Sequence, residues 1–84
     1  MVEFICIYSI VPIGDGLCCV CKDSDGNHFT AFKNSDTINQ RLLFDDEIVA
    51  QKYIEKYLEA GAYRSERLSY NAKYLPKNII MEVK

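Results

Sequence analysis

The most constraining feature of the sequence is a single amphipathic segment that follows several extended-type segments. From Asp45 onward the spacing of apolar residues changes from about two to about 3.6, which predicts one helix that ends near Ala60. Asp45 or Asp46 is placed to cap its N-terminus, and Gly61 follows as a left-handed terminator. The predicted apolar stripe consists of Ala50, Tyr53, Ile54, Tyr57 and Leu58. A lone helix with one such stripe needs one sheet face to cover it.

Three segments before the helix have the composition of strands. They are residues 2–11, 17–22 and 29–32, and residues 41–44 form a shorter extended segment. The turn signals between them are residues 14–16 and the loop 23–27, which predicts a tight hairpin between the second and third strands. Residues 34–40 are polar and predict a loop.

Two segments follow the helix. Residues 64–75 fit a short second helix with Ser65 as its cap, although an extended conformation is the alternative, and residues 79–83 predict a last strand. The predicted order is therefore β-β-β-(short β)-α-(short α)-β. It corresponds to a two-layer α+β sandwich, in which a small, mostly antiparallel sheet carries one main helix on one face.

The length and composition restrict the class of protein. Eighty-four residues support one core, so we expect a single domain over residues 1–84. A hydrophobic fraction of 49% and a net charge of −2 are typical of folded chains and do not demand nucleic acid or an acidic membrane as a partner. The longest apolar run, residues 4–11, is far shorter than the ~20 residues of a membrane span, and no basic leader precedes it. We therefore expect a cytoplasmic protein with free thiols and no membrane partner.

Four cysteines form the sharpest cluster of potentially reactive side chains. Cys18 and Cys21 have the spacing of a zinc knuckle, and Cys6 and Cys19 would complete four thiolate ligands. Within a strand, however, Cys18 and Cys21 point to opposite faces. We therefore interpret all four as packing residues and expect no metal, while a small zinc-binding protein is kept as an alternative hypothesis.

No catalytic constellation is apparent. His28 is the only histidine and directly follows a turn, which indicates a surface strand residue. Asp23 and Asp25 resemble a calcium loop, but the glycine comes too early for an EF-hand, so a hairpin turn explains them. There is no phosphate-binding glycine loop and no nucleophile elbow. We expect neither enzymatic activity nor a cofactor.

Charge is distributed unevenly along the chain. Residues 1–60 hold five Lys or Arg and ten Asp or Glu, a net −5, whereas residues 61–84 hold five and two, a net +3. Tyrosines alternate with the basic residues in the second part. Tyrosine and arginine often anchor protein interfaces, so we predict a partner-binding surface at Tyr63, Arg64, Arg67, Tyr70 and Tyr74.

These observations lead to three functional hypotheses. The first is a non-enzymatic protein-interaction module, a small inhibitor or adaptor of the kind carried by phages or mobile elements, which binds a protein through that surface or through a free sheet edge. A homodimer formed across a two-fold axis is compatible with it. The second is a domain that binds RNA or single-stranded nucleic acid through the basic, tyrosine-rich residues 63–77. The third is the zinc-binding protein described above.

Overall fold

The computed structural model describes all 84 residues. Four strands and one α-helix form the framework, and two short 3-10 helices follow the third and the fourth strand. The elements in chain order are β1 (Phe4–Pro12), β2 (Cys18–Lys22), β3 (His28–Phe32), a 3-10 helix (Asp36–Gln40), α1 (Glu47–Tyr57), β4 (Tyr63–Asn71) and a second 3-10 helix (Ala72–Tyr74). This is a small two-layer α+β fold, as the sequence predicts.

The strands form two antiparallel ribbons of two strands each. In one ribbon β1 pairs with β4 over all nine residues, from Phe4 opposite Asn71 to Pro12 opposite Tyr63. In the other, β2 pairs with β3 across the predicted hairpin loop. One carboxylate oxygen of Asp23 accepts hydrogen bonds from the backbone N–H groups of Asp25 (2.9 Å) and Asn27 (2.8 Å), which closes this loop.

Residues 41–44 join the two ribbons. Phe44 exchanges two backbone hydrogen bonds of 2.8 Å with Tyr8 of β1, and the N–H of Leu42 donates to the carbonyl of Val20 in β2 at 3.0 Å. On the opposite edge the N–H of Ile80 donates to the carbonyl of Leu43 at 2.8 Å. The predicted short extended segment is therefore the place where β1, β2 and the C-terminal tail meet.

The main core lies between α1 and the strands. The carboxylate of Asp46 caps the helix by accepting a hydrogen bond from the N–H of Ile48 at 2.7 Å. Ala50, Tyr53 and Ile54 of the predicted stripe are buried, whereas Tyr57 stays 49% exposed. The three buried residues pack against Ile10, Val20, Leu42 and Phe44 in one cluster.

A second, smaller core lies on the other face of the strands. Val11, Cys19 and Cys21 are almost completely buried there, and Ile38 of the first 3-10 helix packs against them. Residues 34–40 were predicted as a loop. They include this short 3-10 helix because the Ser35 side chain accepts a hydrogen bond from the N–H of Thr37 and Ile38 has an apolar surface to cover.

Three sequence predictions need correction. The short second helix at residues 64–75 is wrong: this segment is mostly strand β4, because β1 has nine residues whose backbone groups need a partner of equal length. The last strand at residues 79–83 is reduced to one bridge between Phe44 and Ile80. Residues 41–44, with which it pairs, lead directly into the cap of α1 and leave no further strand to pair with. The main helix stops at Tyr57, and Gly61 adopts its positive φ of 96° a few residues later.

Candidate functional site

The outer edge of β4 is free along most of its length. Tyr8 uses both its backbone N–H and its carbonyl on Phe44, so these groups point away from β4. Tyr8 lies opposite Arg67, so the pair Tyr8–Arg67 is a non-hydrogen-bonded one, and the backbone groups of Arg67 point outward. The same alternation applies to Ser65 and Ser69. Arg67 and Ser69 therefore offer unpaired donors and acceptors at this edge, whereas Ser65 offers its N–H and its carbonyl already accepts a hydrogen bond from the Arg64 side chain at 3.4 Å.

The five predicted partner-binding residues do not form one patch. Directly opposed residues share a face, so the register puts Tyr63 and Arg67 on the face of Ile10, and Arg64 and Tyr70 on the face of Val11. Tyr74 lies beyond the strand in the second 3-10 helix, where it is 67% exposed. The residues bring their side chains to both sides of one edge rather than to a single surface.

The tyrosines differ in their surroundings. Tyr63 is half-buried and packs against the main core, whereas Tyr70 is half-buried beneath the guanidinium of Arg41, which lies 5.9 Å from its ring centre. The ammonium of Lys73 lies 5.8 Å from the ring of Tyr74. Of these three tyrosines only Tyr74 is largely exposed, and Lys73 approaches its ring, so base stacking would have one tyrosine available instead of three.

The charge of β4 is positive at its exposed positions. Glu66 is half-buried and is engaged by the ammonium of Lys33 at 2.6 Å, with Arg64 at 3.9 Å. Arg67 is exposed and has no ion-pair partner in the structure. The free edge therefore carries an unpaired arginine on one face and a weakly paired one on the other.

The cysteines occupy both faces of β2. Cys19 and Cys21 lie in the smaller core, Cys18 is on the opposite face, and Cys6 is exposed on β1. Burial raises the pKa of the thiols of Cys18, Cys19 and Cys21, the last to about 11. Nowhere in the chain do three or more His, Cys, Asp or Glu side chains gather as a metal would require. Cys18, Cys19 and Cys21 are buried and contribute to packing, as predicted, whereas the same prediction is wrong for Cys6, because its side chain is exposed.

A contact between His28 and Tyr53 was not predicted. His28 begins β3 on the surface, as expected, but its Nε2 atom shares a 2.6 Å hydrogen bond with the hydroxyl of Tyr53 on α1. Partial burial, together with the charge of Lys22, lowers the pKa of His28 below its ordinary value of 6.5. The contact joins residues 25 positions apart, and no local pattern in the sequence signals it.

The lowered pKa of His28 makes the stability of the fold depend on pH. The unfolded chain protonates His28 near pH 6.5 and the folded chain only at a lower pH, so the free energy of unfolding should decrease as the pH falls from about 7 to about 5.5. Urea unfolding at several pH values measures it. The variant His28→Gln should show a flatter profile over this interval, and identical profiles for the two proteins would contradict the assignment.

No helix of the structure has the length and apolarity needed to cross a bilayer. Comparison of the chain with protein-family models, with curated proteins and with solved structures gives no match. The class that the fold and the site define is a small α+β protein with an unpaired, positively charged sheet edge.

Proposed function

We propose that this protein is a non-enzymatic interaction module, an inhibitor or adaptor, that binds an extended acidic segment of another protein by strand addition to the outer edge of β4. The observation that carries the proposal is the outward direction of the backbone groups of Ser65, Arg67 and Ser69. In strand addition, main-chain hydrogen bonds supply affinity and alternate side chains supply specificity.

The charges at this edge favour an acidic partner. A strand that adds to β4 would place one set of its side chains beside Arg67 and the alternate set beside Arg64. Glu66, the one acidic residue of β4, is already engaged by Lys33. Acidic side chains on either face of the incoming strand would thus meet an arginine, whereas basic ones would be repelled.

The exposed arginines of this edge also limit which strands can pair with it. Exposed charges on an edge strand discourage indiscriminate pairing with other chains. Arg67 lies near the middle of β4. An uncharged strand that paired there would remove water from the guanidinium of Arg67 and would offer no charge in return. A carboxylate partner supplies that charge.

Selection from a library of random extended peptides displayed on phage tests the proposal. We expect the selected peptides to be enriched in Asp and Glu and, when titrated as synthetic peptides, to shift the amide NMR signals of Ser65, Arg67 and Ser69. Arg67→Glu should weaken their binding about threefold to tenfold, since an exposed ion pair becomes a repulsion. Lys52→Glu, the same charge change on the exposed face of α1, should leave it unchanged.

Four results would count against the proposal. Selected peptides without acidic enrichment would show that charge does not select the partner. Amide shifts remote from β4 would show that another surface binds. Single-stranded RNA that binds β4 with steep salt dependence would favour the nucleic-acid hypothesis instead. A dimer in sedimentation that Arg67→Glu dissociates would make a second copy of this chain the occupant of the edge.

A further inference from the structure

A polar cleft lies where four parts of the chain meet, and Tyr70 is the one predicted partner-binding residue that adjoins it, through its contact with Arg41. It has a volume of about 580 Å³, within the ~300–1,000 Å³ range of pockets for small organic ligands. It is bounded by the end of β2 and the following loop, by the end of the first 3-10 helix, by residues 41 and 42, and by the C-terminal tail. The hydrogen bonds of Leu42 to Val20 and of Ile80 to Leu43 fix these walls relative to one another.

Arg41 is one of the two basic residues that line this cleft. It is half-buried, and the ring of Tyr70 lies under its guanidinium at 5.9 Å from the ring centre. No carboxylate or carbonyl accepts a hydrogen bond from it. No buried side-chain nitrogen or oxygen of the protein lacks a partner, so the unpaired guanidinium atoms must be open to solvent. Arg41 lines both this cleft and an adjoining cavity of about 250 Å³ that includes Tyr70, and it therefore lies between the two. The ring of Tyr70 thus holds the planar guanidinium of Arg41 in position while its N–H donors remain unused.

The remaining charges leave the cleft positive. Lys22 also lines it and has no ion-pair partner. Asp23 is the one acidic lining residue, and its Oδ1 atom already accepts hydrogen bonds from Asp25 and Asn27 in the hairpin loop. The lining thus carries two unpaired cations and one carboxylate, a net charge of +1, which favours an anion, and the fork of an arginine suits a phosphate in particular.

Carboxamide side chains supply the other polar groups. Asn39, Gln40 and Asn78 line the cleft, and each offers both a donor and an acceptor pair. Leu42 and Ile80 provide a small apolar wall. A ligand with a phosphate at one end and a ring bearing hydroxyl or amide groups at the other would use both parts.

We propose that this cleft binds a phosphorylated small molecule of the size of a nucleoside monophosphate, with the phosphate on Arg41 and Lys22. The proposal does not depend on the function assigned to β4, because none of the residues that line the cleft belongs to β4.

NMR titration of the isotope-labelled protein with the four ribonucleoside monophosphates tests this site, with adenosine and inorganic phosphate as partial ligands. We expect at least one nucleotide to shift the signals of Gln40, Arg41 and Asn78, and to bind at least about tenfold more tightly than either partial ligand. Arg41→Ala should weaken binding at least about tenfold. Arg41→Lys, which keeps the charge and loses the fork, should also weaken it and guards against a folding defect.

A matched pair of lysine variants completes the test. Lys22→Ala should weaken nucleotide binding several-fold, and Lys52→Ala on the outer face of α1 should not. The proposal is overturned if no nucleotide binds at millimolar concentration, if folded Arg41 variants bind as well as the unaltered protein, or if inorganic phosphate binds equally well. A single-stranded oligonucleotide that binds here far more tightly than its mononucleotides would also overturn it. None of these results bears on peptide binding at β4.

Discussion

Replacement of Phe44 by alanine is expected to lower the free energy of unfolding by about 3–5 kcal/mol. The Phe44 side chain is completely buried, and its ring centre lies 5.2 Å from that of Tyr53 on α1. It therefore fills the space between the helix and residues 41–44, and its removal leaves a cavity next to the junction of both ribbons. Folded domains have about 5–15 kcal/mol of stability, so this loss should remove a large part of it and lower the urea midpoint strongly.

Phe32→Ala provides the matched control for this prediction. Phe32 is 60% exposed at the end of β3, so the same change of side chain removes little buried area there. Urea unfolding followed by circular dichroism measures both variants. Equal losses of stability would show that Phe44 is not the centre of the core.

A pair of proline substitutions in β4 should differ sharply in effect. Leu68 lies opposite Ile7, one position from the outward-facing Arg67, so its N–H points toward β1. Leu68→Pro removes that donor and leaves an acceptor of β1 without a partner, at a cost of about 1–3 kcal/mol before any distortion of the strand. Arg67→Pro removes an N–H that bonds to nothing within the chain, and an edge strand tolerates proline at such a position.

The comparison of these two variants tests the register of the edge directly. Thermal unfolding should place Leu68→Pro well below Arg67→Pro, although the second substitution also removes a β-compatible side chain. The opposite order would mean that β4 pairs with β1 one residue out of step, which would turn the other set of backbone groups toward solvent.

Local patterns in the sequence were sufficient for most of the framework. The hairpin at residues 23–27 and the cap at Asp46 depend on neighbouring residues, and both are confirmed. The strand β4 was missed because its apolar residues are few and Leu68 fits a helical spacing as well as an extended one. Its conformation is determined by pairing with β1, which lies at the other end of the chain.

The two candidate sites likewise depend on contacts that local sequence patterns do not reveal. Tyr63, Arg64, Arg67 and Tyr70 were identified by composition, but their division between two faces follows from the strand register, which the sequence does not reveal. The cleft at Arg41 was not predicted at all. Its lining residues come from positions 22 to 80 and are ordinary loop residues individually, so only the tertiary structure brings them together.

The junction at residues 41–44 has a consequence for the order in which the molecule assembles. The β2–β3 ribbon closes across a five-residue loop, which takes microseconds in isolated hairpins. The β1–β4 ribbon joins strands separated by 50 residues, from Pro12 to Tyr63, and must overcome a much larger loss of chain entropy. Docking of residues 41–44 onto β2 and β1 shortens that closure, because the remaining connection is then α1 and its flanking turns. We therefore expect the docked segment to speed the pairing of β1 with β4, in addition to joining the two ribbons.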